Sequence, residues 1–469
     1  MFKALHMKFN CTLVLFLCAI GLHAQNIVHT NVSSIHTRVD NNQQQVWTLA
    51  PEAKPDNLDV ECKPRETRRV KFITPIDSAE FSIESGKTID FIVLLNNKDT
   101  AYTRITGIAS NVNFTKKYIA QNKHVTRVEI PEVHELVNIV IAIRDNATKD
   151  SNMVDFTTPY YQEVLRYFSP YKNHPIVRLI SEQIKEREGK VFNIESYTNY
   201  YNYKMNACGY VFDSKNKIKN TGIIKRMGFR DKSDMLIETA DMFADFAQTS
   251  GFRAFYSKHK PYYDSLVATY NKLTPISKML VWLETKFKFD YGSYVVYFSP
   301  LIGGAHSTNR FEDNGFNQTF MFVCRATSSA HYSPKRNELF ASRIVFTEID
   351  HNFVNPVSDK KQEKINTVFA QRSKWVDTSN PGTNGYPNPY SVFNEYMTFA
   401  VFSLYAKDHS DGKDFDEFLE KDMNQLMSKG RGFIKFAGFN SALLAYYKAN
   451  PTSSVESWYD YILDWCQKQ

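Results

Sequence analysis

Arg343-Ile-Val-Phe-Thr-Glu-Ile-Asp-His-Asn-Phe-Val-Asn-Pro356 is the stretch on which the reading of this chain turns. Phe340 and Ile344 begin an apolar stripe at helical spacing, and the next positions on it are Thr347/Glu348 and then His351. A face expected to be buried thus becomes a carboxylate and an imidazole. Such groups are costly to bury alone, so a metal ion or a hydrogen-bond network should satisfy them. Asp350 falls off the stripe and is expected to be solvated. Asn355-Pro356 is expected to end the helix. The Glu-x-x-His spacing is weak by itself: 50 acidic residues and 12 histidines in 469 give about one acid-x-x-His pair by chance.

Downstream, Val392, Phe399, Phe402 and Ala406 form a second apolar helical stripe, and Glu395 lies on it. Helix packing would bring that carboxylate across to the first helix. Leu236, Ala240, Phe243 and Ala247 mark a third helical face, and Thr158-Pro159 suits an N-cap and first helical residue. Further helices are expected near 174–187, 260–271, 275–286, 334–354, 391–407 and 454–466, with strand-like runs at 294–299 and 320–324. The expectation is a mostly helical domain with a small sheet over 156–469.

The N-terminal part reads differently. Met7-Lys8 and the apolar run Cys11 to Leu22, followed by His23-Ala24, read as a signal peptide over 1–24. The run is shorter than the roughly 20 residues that span a bilayer. Export follows, to the periplasm, the cell surface or the medium, with no integral membrane segment after cleavage. Residues 25–66 are polar and read as an extended lead. Over 67–150, Ile89, Phe91, Val93 and Leu95, then Val137, Ile139, Ile141 and Ile143, recur with period two around turn residues such as Asn96-Asn97-Lys98-Asp99. That pattern predicts a β-rich accessory domain, so the fold class is α+β.

Composition narrows function. The net charge of +7 comes with no basic run dense enough for nucleic acid. Neither the serine nucleophile elbow GxSxG nor a phosphate-binding glycine loop occurs. Paired carboxylates for glycoside cleavage are spatial and leave no signature. Cys62, Cys208, Cys324 and Cys466 are too few and too scattered for a disulfide scaffold or a cysteine zinc site. Among 35 Phe and 27 Tyr, the run Tyr197-Thr-Asn-Tyr-Tyr-Asn-Tyr203 reads as packing rather than a binding wall.

Thr347-Glu-Ile-Asp-His351 aligns with HExxH, and Asn394-Glu395-Tyr-Met resembles the downstream glutamate motif of the gluzincins. Together with Phe298-Ser-Pro-Leu-Ile-Gly-Gly-Ala-His306, Phe316-Asn-Gln-Thr-Phe-Met-Phe322 and His351-Asn-Phe-Val-Asn-Pro356, these motifs resemble a bacterial family of exported proteins, domain of unknown function 4932, which is zincin-like. The resemblance spans roughly 160–410. It implies a zinc-dependent peptidase acting on a peptide or protein, with Glu348 as general base and His351 and Glu395 as metal ligands. The first histidine of HExxH is Thr347 here. Three alternatives stay open: His306 or His331 supplies a further ligand, Glu348 itself ligates, or the site is inactive. The rival to the peptidase is a non-catalytic binding protein on the same scaffold.

Overall fold

The computed structural model describes residues 27–40, 42–48, 56–62, 66–109, 112, 114–145, 147–185, 193–224, 234–289 and 291–469. The expected signal peptide lies outside them. The chain divides into two compact units, Met1–Ala109 and Ser110–Gln469. The fold class is α+β, strand-rich first and helical with a small sheet after.

The first unit carries eight strands among the described residues: β1 (Ile27–Thr30), β2 (Ser34–Val39), β3 (Asn42–Thr48), β4 (Asp56–Cys62), β5 (Thr67–Ile73), β6 (Ser78–Glu84), β7 (Thr88–Leu95) and β8 (Asp99–Ala109). They form two four-stranded sheets, ordered β1-β7-β8-β4 and β3-β2-β5-β6. Alternate residues of both sheets meet in one core, where Phe72, Phe81 and Phe91 stack with centroids 4.6–5.8 Å apart. The β7–β8 connection is the expected turn. Asn96 and Asn97 both take the left-handed conformation that asparagine tolerates. The stretch read as a polar lead, 25–66, instead contributes β1 to β4 to this core. Its apolar residues are sparse but fall on one face, with Val28, Ile35, Val39 and Val60 buried among polar neighbours.

The second unit carries strands β9 (Val125–Glu129), β10 (Tyr210–Phe212), β11 (Ile218–Asn220), β12 (Ser293–Ser299), β13 (Ser307–Asp313) and β14 (Phe316–Cys324). Its main sheet is ordered β13-β14-β12-β9. β9 and β14 run parallel to β12, and β13 pairs antiparallel to β14 at the edge. The helices are α1 (Lys116–Asn122), α2 (Glu132–Ile143), α3 (Pro159–Phe168), α4 (Pro175–Gln183), α5 (Ile194–Ala207), α6 (Met235–Thr249), α7 (Phe252–Leu273), α8 (Ile276–Phe287), α9 (Pro334–Lys360), α10 (Gln362–Val368), α11 (Pro389–His409), α12 (Gly412–Glu417), α13 (Phe436–Ala449) and α14 (Val455–Gln467). Thr158 caps α3 as expected, accepting from the Tyr161 N–H.

Three expectations are corrected. The boundary falls at 109/110 rather than near 150. The run through Val137, Ile139, Ile141 and Ile143 is not a strand but α2, buried on every side from Val133 to Ile143. A helix buried all round carries apolar residues everywhere, so its sequence shows no 3.6-residue period. Finally, α9 does not end at Asn355-Pro356. It continues through Pro356 to Lys360. Proline removes one intrahelical bond and crowds the preceding turn, at a cost of about 3 kcal/mol. Tertiary contacts offset this: the Tyr459 hydroxyl donates to the Val354 carbonyl at 2.9 Å, and Val354 and Val357 are buried.

Candidate functional site

The site is built on α9 and α11, which pack along one another. α9 starts cleanly: Ser333 accepts from the Arg336 N–H, and Pro334 takes the first helical position. α11 starts with a capping box between Asn388 and Ser391 and with Pro389 at its first position. These starts set the rotation of both helices. Glu348 points to a partly buried position on α9, and the Glu395 side chain is only 6% exposed on α11.

A cation already sits on Glu395. Arg431 Nη1 lies 2.7 Å from Glu395 Oε1, and Arg431 Nη2 donates to the Tyr386 hydroxyl at 2.6 Å. Arg431 thus joins Glu395 to Tyr386, and the Glu395 charge acts on the Tyr386 hydroxyl. The Arg431 guanidinium also lies 4.9 Å from the Phe399 ring centroid and 5.7 Å from that of Phe433. Arg431 is placed by unusual backbone. It follows two π-helical segments, Phe418–Asn424 and Leu426–Gly430, and its own N–H bonds the Leu426 carbonyl five residues back at 2.8 Å. Gly432 then turns at φ +80°, where an added Cβ would lie 3.0 Å from both Asn380 Cβ and Thr383 Cγ2.

Burial pushes the Glu348 carboxyl up to about 8, and the neighbouring Glu395 carboxylate adds to the shift against the pull of Arg431. At neutral pH Glu348 is therefore mainly a neutral acid. Asp350, expected to be solvated, is fully buried, and neither of its oxygens has a hydrogen-bond partner among the described residues. Burial, then Glu395 and Glu348, raise it well above the carboxylate range. The expectation failed because α9 is covered on several sides, so a residue off its stripe is not thereby exposed.

The remaining candidates are spread around this centre. His306 lies in the loop between β12 and β13, where Gly303 packs so closely that an added Cβ would fall 2.2 Å from the Ser151 carbonyl oxygen. Its Nε2 donates to the Gly303 carbonyl at 3.2 Å, and burial drops the ring to about 4, with the positive charges of Lys204, Arg431 and Arg343 adding to it. His351 is half-buried, with Nδ1 3.4 Å from Asn355 Oδ1. Thr347 bonds back into its own helix, its Oγ1 3.1 Å from the Arg343 and Ile344 carbonyls. His331 is exposed.

These donors, as placed, do not fit a resident zinc ion. Glu395 is matched by a guanidinium, and the Thr347 hydroxyl is committed to the helix. Among the described residues no group of three His, Cys, Asp or Glu side chains is arranged to hold a metal. The four cysteines from Cys62 onward are free thiols. Arg431 and Tyr386 were missed in the sequence. The one signal for Arg431 is its place between Gly430 and Gly432, a close-packed turn.

A second buried polar cluster lies on α2, in His134-Glu135-Leu-Val-Asn138. Glu135 accepts from the Tyr160 hydroxyl at 2.7 Å through Oε1, its Oε2 has no hydrogen-bond partner among the described residues, and Tyr160 meets Tyr263 at 2.6 Å. Lys204 Nζ donates to the Tyr200 hydroxyl at 2.7 Å. Burial raises Glu135 to about 7, lowers His134 to about 3 and pulls Lys204 well below its ordinary value.

Among the described residues no helix is long and apolar enough to cross a membrane. No family model, curated protein or solved structure matches the chain, so its function is read from its own residues.

Proposed function

We propose that this chain is an exported, non-catalytic binding protein on a zincin-like scaffold, one that holds a peptide or protein segment without cleaving it. The observation that carries the reading is the Arg431 guanidinium on Glu395 at 2.7 Å, its other amine on the Tyr386 hydroxyl. A gluzincin-type peptidase would use that carboxylate as a metal ligand and would need an imidazole where Thr347 stands. Here the cationic role beside Glu395 is taken by a side chain. A guanidinium neutralises a carboxylate but supplies neither an open coordination position nor a bound water of lowered pKa.

What remains suits recognition. A partly exposed Glu348 and the fixed, partly exposed guanidinium of Arg431 offer hydrogen-bond partners to a peptide. The test compares retention with turnover. A mixed peptide library is incubated with the zinc-supplied chain, then read by mass spectrometry for retained and for shortened peptides. Retention with every peptide intact is expected. Shortened peptides that disappear with Glu348→Gln would overturn the reading in favour of the zinc peptidase.

A further inference from the structure

Arg343 lines a small cavity of about 80 Å³ between the end of β14 and the first half of α9. The walls are Tyr270, Phe340 and Ile344 on the apolar side and Arg325, Thr327 and Arg343 on the polar side. The neighbouring arginines are matched by acids. Arg336 takes the carboxylates of Glu417 and Asp422, Arg325 pairs with Asp155 at 3.4 Å, and Arg431 takes Glu395. Arg343 differs. Its Nη1 donates to a neutral acceptor, the Asp422 backbone carbonyl, at 2.7 Å, and its guanidinium lies 5.2 Å from the Phe340 ring centroid. Among the described residues it has no carboxylate in ion-pair contact. A largely buried guanidinium with no carboxylate in contact is expensive; burial lowers it to about 10 against the more distant pull of Asp422.

We propose that this cavity binds the carboxylate of a peptide C-terminus through Arg343, an inference that rests on the peptide-binding reading above. A guanidinium presents a planar fork that matches a carboxylate in two parallel hydrogen bonds. The cavity has room for a few water molecules, which a carboxylate on a short stem would displace. Its half-apolar lining favours a singly charged carboxylate over a more strongly hydrated phosphate. Position ties the cavity to the site. Ile344 on its wall lies one helical turn before Glu348 on α9. A chain whose last residue enters the cavity would therefore run back across Glu348 and Arg431.

The experiment uses two fluorescent hexapeptide pools of the same composition, one with free C-termini and one amidated, titrated against the full chain by anisotropy. Acetate, propionate and phosphate are tested alongside by their effect on the melting temperature. The free-acid pool should bind about tenfold tighter than the amidated pool. The preference should vanish in Arg343→Gln and survive in part in Arg343→Lys. Circular dichroism of both variants checks that they fold. Equal binding of the two pools, or a preference that persists in Arg343→Gln, overturns the carboxylate site and leaves the binding-protein reading standing. If neither pool binds but propionate stabilises the wild type and not Arg343→Gln, the anion site stands and the peptide reading falls. If neither the pools nor the small anions bind, both fall.

Discussion

The polar clusters on α2 and α9 begin from similar text and end differently. His134-Glu135-Leu-Val-Asn138 and Thr347-Glu348-Ile-Asp-His351 each place a glutamate on a buried helix. On α2, Glu135 is fully buried: Tyr160 donates to its Oε1, its Oε2 has no hydrogen-bond partner among the described residues, and the Lys204 charge acts on it. On α9, Glu348 is partly exposed and lies under the charges of Glu395 and Arg431. A carboxyl closed off from solvent deep in a core, with a tyrosine hydroxyl on it, is structural. One left at an accessible position between a carboxylate and a guanidinium is arranged for something to arrive. Burial and a raised pKa are common to both, so neither identifies a site without its surroundings.

Substitutions that separate the clusters should differ in size and kind. The largest loss is expected for Glu395→Ala, which leaves Arg431 without its acid. Removing one partner of a buried pair costs about 3–5 kcal/mol, and the partial exposure of Arg431 places this near about 3. In urea unfolding, the double variant with Arg431→Met should recover more than half of that. Additive losses would show that the two side chains do not depend on each other.

Next comes Tyr160→Phe on α2, expected to cost about 1–2 kcal/mol because it removes a hydrogen bond to a buried carboxyl. It should also raise Glu135 further, since the hydroxyl that favours its charged form is gone. A neutral result would break the view of α2 as a structural network.

The third prediction concerns pH. The folded chain holds the Glu348 proton up to about 8, against 4.5 ordinarily. The stability this gives is fully present below about pH 4.5 and is lost as the pH rises through 8. His306 has the opposite sense. Depressed from 6.5 to about 4, it contributes stability above pH 6.5 that is lost as the pH falls through 4. Melting temperatures across this range should fall at both ends, and Glu348→Gln should flatten the alkaline limb alone. An unchanged alkaline limb would mean that Glu348 is not the group titrating there. The smallest effect is expected for His351→Ala, under about 1 kcal/mol, since its polar contact among the described residues is a 3.4 Å approach to Asn355.

The sequence disclosed those parts of the molecule whose surroundings are one-sided. The amphipathic face of α6, the start of α3, the helical run of α4 and the Asn96-Asn97 turn all show in the text because one side of each meets water. α2 and the inner turns of α9 do not, because burial on several sides erases the period that marks a helix and its outward face. The same cause hid Asp350. Glu348 and Glu395 were legible as polar residues on apolar stripes. Arg431 was not, because it reaches Glu395 from 36 residues further along the chain, through a π-helical segment that no local pattern announces.

The most direct test of the central claim is the zinc content of the purified chain, measured by elemental mass spectrometry after zinc is supplied and the excess removed. With Arg431 on Glu395, the account predicts far less than one zinc per chain, unchanged in His351→Ala and Glu395→Ala. Close to one zinc per chain, lost in both variants, would contradict it and restore the metallopeptidase.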